Sequence, residues 1–299
     1  MRVPTNNASE SVIVQIQKLA SRQAQLQQQI ATGQRIFVPS DNPAAIGRVL
    51  TMENERSQIQ QFDRNAATAL EISQASFAGL KGLKEISDRA GEIATLGSGI
   101  ASPDAYRAYA SEVNQLIEQS LQSANTRFRN DYLFAGTAID AAPFTATRSL
   151  TTGQITATAY VGNANQSSIQ LSETASIAPG TTGATNTGVR DFINQLVALR
   201  DALVAGDSTA VATTRSQLEG SENLLVNALS EHGAIELRIE VNQAQQQARG
   251  DNLDQLVSNE VDADLPETVV RLGQTSTAYE AALSSATKIL QMSLLDYLR

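Results

Sequence analysis

The chain contains no cysteine and no tryptophan, one histidine, and only 4% aromatic residues among 299 positions. Without cysteine it can form neither a disulfide framework nor a thiolate metal site. Because His232 has no second histidine to join, we expect neither a zinc site nor a Ser-His-Asp triad. His232 lies in helical phase with Leu229 and Ile235, and we interpret it as a buried core or seam residue.

Positive charge and long apolar runs are also scarce. Lys and Arg number 22 against 31 Asp and Glu, which gives a net charge of −9. Such an acidic chain is a poor candidate for binding nucleic acid or anionic membranes. No segment approaches the roughly 18 apolar residues of a membrane span, and residues 1–11 are polar, unlike a signal peptide. A cytoplasmic protein and one exported without a cleaved peptide both fit.

A catalytic constellation is missing as well. The sequence Gly97-Ser98-Gly99 lacks the lysine and spacing of a phosphate loop. The carboxylates Asp201, Asp207 and Glu219 are scattered over predicted helix surfaces. We therefore predict no enzyme activity and no cofactor; a helical hydrolase that uses paired carboxylates is the enzymatic alternative.

The C-terminal segment, residues 265–299, has the most pronounced pattern in the chain. Its apolar positions recur at alternating steps of four and three residues, the spacing of a coiled-coil seam on one side of a helix. Near the end the helix becomes apolar almost all round, which calls for a covering partner. The predicted seam positions are Leu265, Val269, Leu272, Ser276, Tyr279, Leu283, Ala286, Leu290, Ser293 and Tyr297, with Leu294 beside them.

The N-terminal segment, residues 1–40, repeats this spacing. Its seam positions are Val12, Ile16, Leu19, Gln23, Leu26 and Ile30. Matching heptads at both ends predict that the terminal helices pair as a coiled coil. Alternatively, each stripe packs separately onto a helical core.

Between the ends we predict two helical halves, residues 41–136 and 189–264. Asn42 and Pro43 begin a long helix that ends near Leu96, and Ser102-Pro103-Asp104 begins another that reaches Phe128 or Asn130. In the second half we expect helices from Val189 to about Leu203 and from Ser208 onward, with a restart at Pro266.

Residues 137–188 differ in composition, being rich in Thr, Ser, Gly and Ala. We predict a small β-rich insert with strands at 144–148, 154–161 and 168–171 and a loop over 179–188. A disordered spacer is the alternative. The predicted fold class is mainly α with a small β insertion, an elongated rod of long antiparallel helices whose terminal helices pair.

Three stretches resemble the flagellin family, and within it the branch at the hook–filament junction. The first is Ala31-Thr32-Gly33-Gln34-Arg35-Ile36 followed by Ser40-Asp41-Asn42-Pro43. The second runs from Asn125 and Arg127 through Asp131-Tyr132-Leu133-Phe134-Ala135-Gly136-Thr137. The third is the end of the chain, Ala278 to Leu298. The tripeptide Phe37-Val38-Pro39 departs from the small polar residues that this family more often has there.

The resemblance implies a structural subunit that assembles as a ring at the hook–filament junction, with a filament-forming flagellin as the alternative. It implies contacts with other copies, the first hook-associated protein and flagellin, and an export chaperone on the C-terminal helix. It also implies an extracellular location in the flagellum, reached without a cleaved signal peptide. The expected assembly interface is Val12, Ile16, Leu19, Leu26, Ile30, Leu272, Tyr279, Leu283, Ala286, Leu290, Leu294 and Tyr297.

Overall fold

The computed structural model describes residues 6–99 and 101–297, and the side chains of residues 10–99 and 101–288. Over this part of the chain it is mainly helical with small antiparallel β pairs, as predicted. The helices are α1 (Asn6–Thr32), α2 (Pro43–Gly97), α3 (Pro103–Ala124), α4 (Gly183–Ala205), α5 (Ser208–Val261) and α6 (Leu265–Tyr297).

The strands are short and pair consecutively. They are β1 (Arg127–Phe128), β2 (Asp131–Tyr132), β3 (Phe144–Arg148), β4 (Ile155–Tyr160), β5 (Ile169–Gln170) and β6 (Ser176–Ile177). The pairs β1–β2, β3–β4 and β5–β6 are each antiparallel.

Most helix boundaries follow the sequence signals. The carboxamide oxygen of Asn42 accepts a hydrogen bond from the N–H of Ala45 at the start of α2. The Ser102 hydroxyl does the same for Ala105 at the start of α3. Gly33 and Gly206 follow α1 and α4 with φ angles of 73° and 69°, the left-handed conformation that ends helices. α6 begins at Leu265, so Pro266 restarts the helix as expected.

Two helix boundaries differ from the prediction. α3 ends at Ala124 rather than near Phe128, because the Asn125 side chain exchanges two hydrogen bonds with the Phe144 backbone and the chain continues into β1. α4 begins at Gly183, inside the predicted loop, because the Thr182 hydroxyl caps the N–H of Thr185. A threonine-rich stretch has no apolar periodicity from which this helix start could be recognised.

The chain divides into two compact units. Unit 1 comprises residues 1–57 and 249–299, and unit 2 comprises residues 58–248. α2 and α5 each contribute to both units. None of the described helices is long and apolar enough to cross a membrane.

Unit 2 has a continuous core built by α2, α3, α4, α5 and the β3–β4 hairpin. Phe144 and Ile155 insert from the hairpin into this core. A second cluster places Leu171 and Ile177, from the β5–β6 hairpin, against Ala66, Ala69 and Ile239. The threonine-rich insert is therefore folded onto the helices, and the disordered-spacer alternative is wrong.

His232 is buried in unit 2, as predicted, with 3% of its surface exposed. Its Nδ1 lies 3.2 Å from the Ser73 hydroxyl on α2. Burial lowers the pKa of His232, because the imidazolium would lose its hydration. One turn further along α5, burial and the neighbouring Glu240 raise the pKa of Glu236. The two pKa shifts therefore favour the uncharged forms of His232 and Glu236.

Acidification should therefore destabilise unit 2 through His232. Because the folded pKa lies below the ordinary value of about 6.5, the stabilisation by neutral His232 is complete above that pH and is lost as pH falls toward the lowered pKa. Each unit of lowering corresponds to about 1.4 kcal/mol. Urea unfolding of the wild type and His232→Gln from pH 8 to pH 5.5 measures this term. A pH-independent difference between the two proteins would contradict it.

Candidate functional site: the terminal helix pair and two motif loops

The terminal helices α1 and α6 pack together in unit 1. The end of α1 lies beside the start of α6, where Gln34 and Asp262 form an antiparallel bridge, so the two helices run antiparallel. The half-buried or buried positions of α1 include all six predicted seam positions, Val12, Ile16, Leu19, Gln23, Leu26 and Ile30, together with Ala20 and Gln29.

The buried stripe of α6 differs from the predicted stripe by one residue at every second position. Its buried or half-buried positions include Thr268, Leu272, Thr275, Tyr279, Ala282 and Ala286. Going up in residue number from Thr268, these positions are separated by four, three, four, three and four residues. Going down in residue number from Ile30, the six seam positions of α1 are separated by the same steps. Equal steps in opposite directions are the spacing that an antiparallel coiled-coil seam requires.

Part of the predicted α6 stripe consequently lies outside this seam. Leu272, Ser276, Tyr279 and Ala286 are half-buried as expected, but Leu265, Val269 and Leu283 are 43%, 54% and 40% exposed. The apolar band of α6 is wider than one neighbouring helix can cover, and the smaller Thr268, Thr275 and Ala282 are the buried or half-buried positions instead. The side chains of Leu290, Leu294 and Tyr297 lie outside the described side chains.

The first motif loop joins α1 to α2 and is hydrogen-bonded to the α5–α6 connection. The carbonyl of Gly33 accepts from the N–H of Ala263 at 2.8 Å. The N–H of Arg35 donates to the Val261 carbonyl at 2.6 Å, and its guanidinium donates to the Glu260 carbonyl at 2.8 Å. Ile36 is buried beneath the loop. Gly33 and Arg35 thus join the α1–α2 loop to the α5–α6 connection.

Asp41 shapes the rest of this loop. Its carboxylate accepts hydrogen bonds from the N–H groups of Phe37 and Val38, at 3.1 and 3.2 Å. The unusual Phe37-Val38-Pro39 tripeptide is therefore held as a turn by the motif's own aspartate. Ser40 is exposed, and Pro43 occupies the first position of α2.

Ion pairs connect the unit 1 portions of α2 and α5. Arg48 makes a bidentate pair with Glu260 at 2.9 Å, and Arg56 pairs with Asp254 at 3.0 Å. Hydrogen bonding from Arg48 lowers the pKa of Glu260. Exposed pairs of this kind each contribute little to stability.

The second motif loop follows α3 in unit 2. The Arg127 guanidinium donates to the Tyr132 hydroxyl at 2.7 Å and lies 4.2 Å from the centre of its ring. Phe134 is fully buried against Gly79 of α2. Together with the Asn125 side chain, these contacts anchor the turn between α3 and the β3–β4 hairpin.

Gly136 and Thr137 connect this turn to the segment after β4. Gly136 has a φ angle of 69°, and a Cβ there would lie 2.4 Å from both the carbonyl and side-chain oxygens of Asn163. Thr137 exchanges hydrogen bonds with the Asn163 carboxamide. Only glycine allows this close approach of two backbone segments.

The carboxylates considered for catalysis have local partners. Asp201 pairs with Arg200 at 2.7 Å, and Asp207 caps the first N–H groups of α5. Glu219 lies 3.9 Å from Arg215. Among the described residues, no group of three or more His, Cys, Asp or Glu could hold a metal ion.

Residues 3–139 match the bacterial flagellin N-terminal helical region, and this segment contains α1 and both motif loops. Over this segment the chain is similar to the flagellin family. Flagellar hook-associated protein 3 of Escherichia coli K12 is 25% identical over 301 residues, covering 89% of this chain and 90% of the relative.

Two solved structures share the fold of this chain. A Vibrio parahaemolyticus structure, described as that of a flagellar hook-associated protein, has a TM-score of 0.66 at 17% identity. The alignment covers 74% of this chain and 100% of that one. The flagellar junction protein FlgL of Legionella pneumophila has a TM-score of 0.54 at 14% identity, with 73% and 100% covered.

Removing the Arg35 side chain should weaken the contact between the α1–α2 loop and the α5–α6 connection. Arg35→Ala deletes the bond to the Glu260 carbonyl, and we expect a loss of about 1 kcal/mol, equivalent to roughly fivefold faster hydrogen exchange in segment 259–266. Arg271→Ala, which removes only an exposed i,i+4 pair with Glu267, is the control and should change exchange little. Equal effects of both substitutions would show that Arg35 has no special role.

Two left-handed glycines of unit 2, Gly153 and Gly136, provide a matched test of close approach. Gly153→Ala meets open space and should cost only the left-handed penalty, about 1–2 kcal/mol. Gly136→Ala pays the same penalty and also collides with Asn163, so we expect a loss larger by at least about 2 kcal/mol. Urea unfolding measures both variants, and equal losses would contradict the assigned contact.

Proposed function

We propose that this chain is a structural subunit of the bacterial flagellum that assembles as a ring at the hook–filament junction. In this ring each copy contacts other copies, and the ring connects the first hook-associated protein to flagellin. The subunit performs no catalysis and uses no cofactor. It is exported through the flagellar channel and acts outside the cell, with a chaperone covering the C-terminal helix beforehand.

The observation that carries this proposal is the incomplete cover of α6. One side of the helix packs on α1, while Leu265, Val269, Val270 and Leu283 remain 40–59% exposed. A shallow groove lined by Val270, Gly273, Thr277 and Ala281 runs along the same helix. Apolar side chains and a groove of small residues on a helix suit close packing with another helix.

The interface residues divide into two roles under this proposal. Val12, Ile16, Leu19, Leu26, Ile30, Leu272, Tyr279 and Ala286 hold the terminal helices together within one copy. Leu283 faces outward and would contact a neighbour. We propose the same outward role for Leu290, Leu294 and Tyr297, whose side chains are not described.

Deleting the gene and restoring it distinguishes a junction subunit from a filament-forming flagellin. A junction subunit predicts loss of motility on deletion, with hooks that fail to retain filaments. It also predicts that tagged protein restored to these cells occupies one short band per flagellum in electron micrographs. Label along micrometre-long filaments would favour the flagellin alternative, and unchanged motility on deletion would refute both.

Leu283→Asp should block assembly without unfolding the monomer. The exposed side chain is not needed for α1–α6 packing, so unfolding free energy should stay within about 0.5 kcal/mol. In an apolar contact between copies, however, an unpaired carboxylate is strongly unfavourable. Ser284→Asp, a neighbouring exposed position outside the predicted stripe, is the control. Intact flagella built from Leu283→Asp would contradict the proposed interface.

A further inference from the structure

A groove between α2 and α5 in unit 2 has no part in the roles above. Its volume is about 320 Å³, which is at the lower end of the range for ligand pockets. Its walls come from α2 between Ser87 and Thr95 and from α5 between Arg215 and Glu222. Four of the lining residues are carboxylates, namely Asp88, Glu92, Glu219 and Glu222.

The groove remains negatively charged when the cations that pair with its carboxylates are counted. Each of these cations has at least one carboxylate partner within 4 Å, in the groove or at its edge. Three cations stand against five carboxylates, so this group of side chains has a net charge of −2. The cations are Lys84, Arg89 and Arg215, and the carboxylates are Asp88, Glu92, Glu112, Glu219 and Glu222.

Two of the carboxylates have only distant cations. The Lys84 ammonium donates to both oxygens of Asp88, at 2.8 and 2.7 Å, but lies 3.9 Å from Glu222. Arg215 likewise lies 3.9 Å from Glu219. A separation of 3.9 Å is too long for a hydrogen bond. Within the part of the chain that the structure describes, Glu219 and Glu222 therefore accept no hydrogen bond from these cations.

A buried hydroxyl without a partner lines the same groove. Ser87 is 2% exposed, and its Oγ has no hydrogen-bond partner among the described residues. Buried polar atoms are nearly always paired, so an unpaired one needs an explanation. One turn further along α2, a Cβ added to Gly91 would reach open space. A hydrogen-bond donor bound in the groove has room there and would give the Ser87 hydroxyl its partner.

The groups in the groove suit an organic ammonium ion better than a metal ion. Among the described residues, no three His, Cys, Asp or Glu lie close enough together to hold a metal. An ammonium group has three N–H donors and no acceptor, which matches carboxylates and an unpaired hydroxyl. Glu219 and Glu222 are three residues apart on α5, about 4.5 Å along the helix axis. Two ammonium groups joined by a short alkyl chain can therefore each face one carboxylate.

We propose that this groove binds a linear alkyl diamine, with one ammonium group at Glu219, the other at Glu222, and the Ser87 hydroxyl accepting from one of them. The methylene chain lies over Gly91, where no side chain occupies the space. The two positive charges offset the net charge of −2 between α2 and α5. This site goes beyond the proposed function and does not rest on it, because all of its residues belong to unit 2 of one copy.

Isothermal titration calorimetry of the full-length protein with 1,4-diaminobutane at low ionic strength tests the proposal. We expect saturable binding of one diamine per chain, at least about tenfold tighter than n-butylamine, which has the same carbon chain and one charge. Equal affinities would show a site for a single ammonium group, such as a lysine side chain of another protein, and would overturn the diamine. Equal binding of Mg²⁺, or no saturable binding, would also overturn it.

Matched double variants test the two carboxylates. Glu219→Gln with Glu222→Gln should weaken diamine binding at least about tenfold, because each change removes a charge-assisted hydrogen bond. The control, Glu231→Gln with Glu240→Gln, removes the same charge from exposed positions of α5 that do not line the groove. It should change the affinity less than about twofold, because distant exposed charges are screened. Equal losses would show attraction by total charge and would overturn the site.

Two substitutions on α2 separate ligand contact from folding. Ser87→Ala removes a hydroxyl that has no partner in the protein, so urea unfolding should show no loss of stability, whereas diamine affinity should fall about fivefold. Gly91→Leu fills the groove without changing its charge and should abolish binding. Circular dichroism and urea unfolding establish which variants are folded. Wild-type affinity in either folded variant would overturn the site.

Discussion

The antiparallel pairing of α1 and α6 is the interaction on which unit 1 depends. It brings together segments that are more than two hundred residues apart in the chain, and it is aligned by the hydrogen bonds that join Gly33 and Arg35 to the α5–α6 connection. Closing such a long loop costs conformational entropy. The matched heptads offset that cost with apolar burial along the two helices. Because the pairing covers only one side of α6, an apolar row that includes Val269 and Leu283 remains exposed.

Unit 2 meets a different requirement, which is to fold a threonine-rich insert that has few large apolar residues. Phe144, Ile155, Leu171 and Ile177 are buried in the helical core or the second cluster. Between these anchors, polar side chains replace packing. The carboxamide of Asn125 pairs with the Phe144 backbone, and that of Asn194 exchanges hydrogen bonds with the Thr158 backbone. The insert is thus held to the helices by few apolar contacts and several specific hydrogen bonds.

Sequence patterns located the helices well where apolar periodicity met a capping signal. Asn42-Pro43, Ser102-Pro103 and Gly206 marked boundaries that the structure confirms. They failed at Phe128, which kept helical phase but lies in a strand, and at Gly183, which begins a helix without any apolar period. In both places the outcome depends on side chains from elsewhere or on a hydroxyl cap, which apolar spacing does not record. The strand β6 was missed for a related reason, because two residues are too few to form a pattern.

The sequence by itself determined the fold class, the resemblance to the flagellin family, the absence of cysteine chemistry and the two terminal heptads, because all of these depend on residue type and spacing alone. Only the tertiary structure decided which side of α6 faces α1. The predicted stripe and the buried stripe of α6 share Leu272, Tyr279 and Ala286, so residue spacing alone does not distinguish them. The fold selected the smaller Thr268, Thr275 and Ala282 and left Leu283 exposed. The helix has a wider apolar band than one partner can bury, and which part is buried depends on where the partner helix lies.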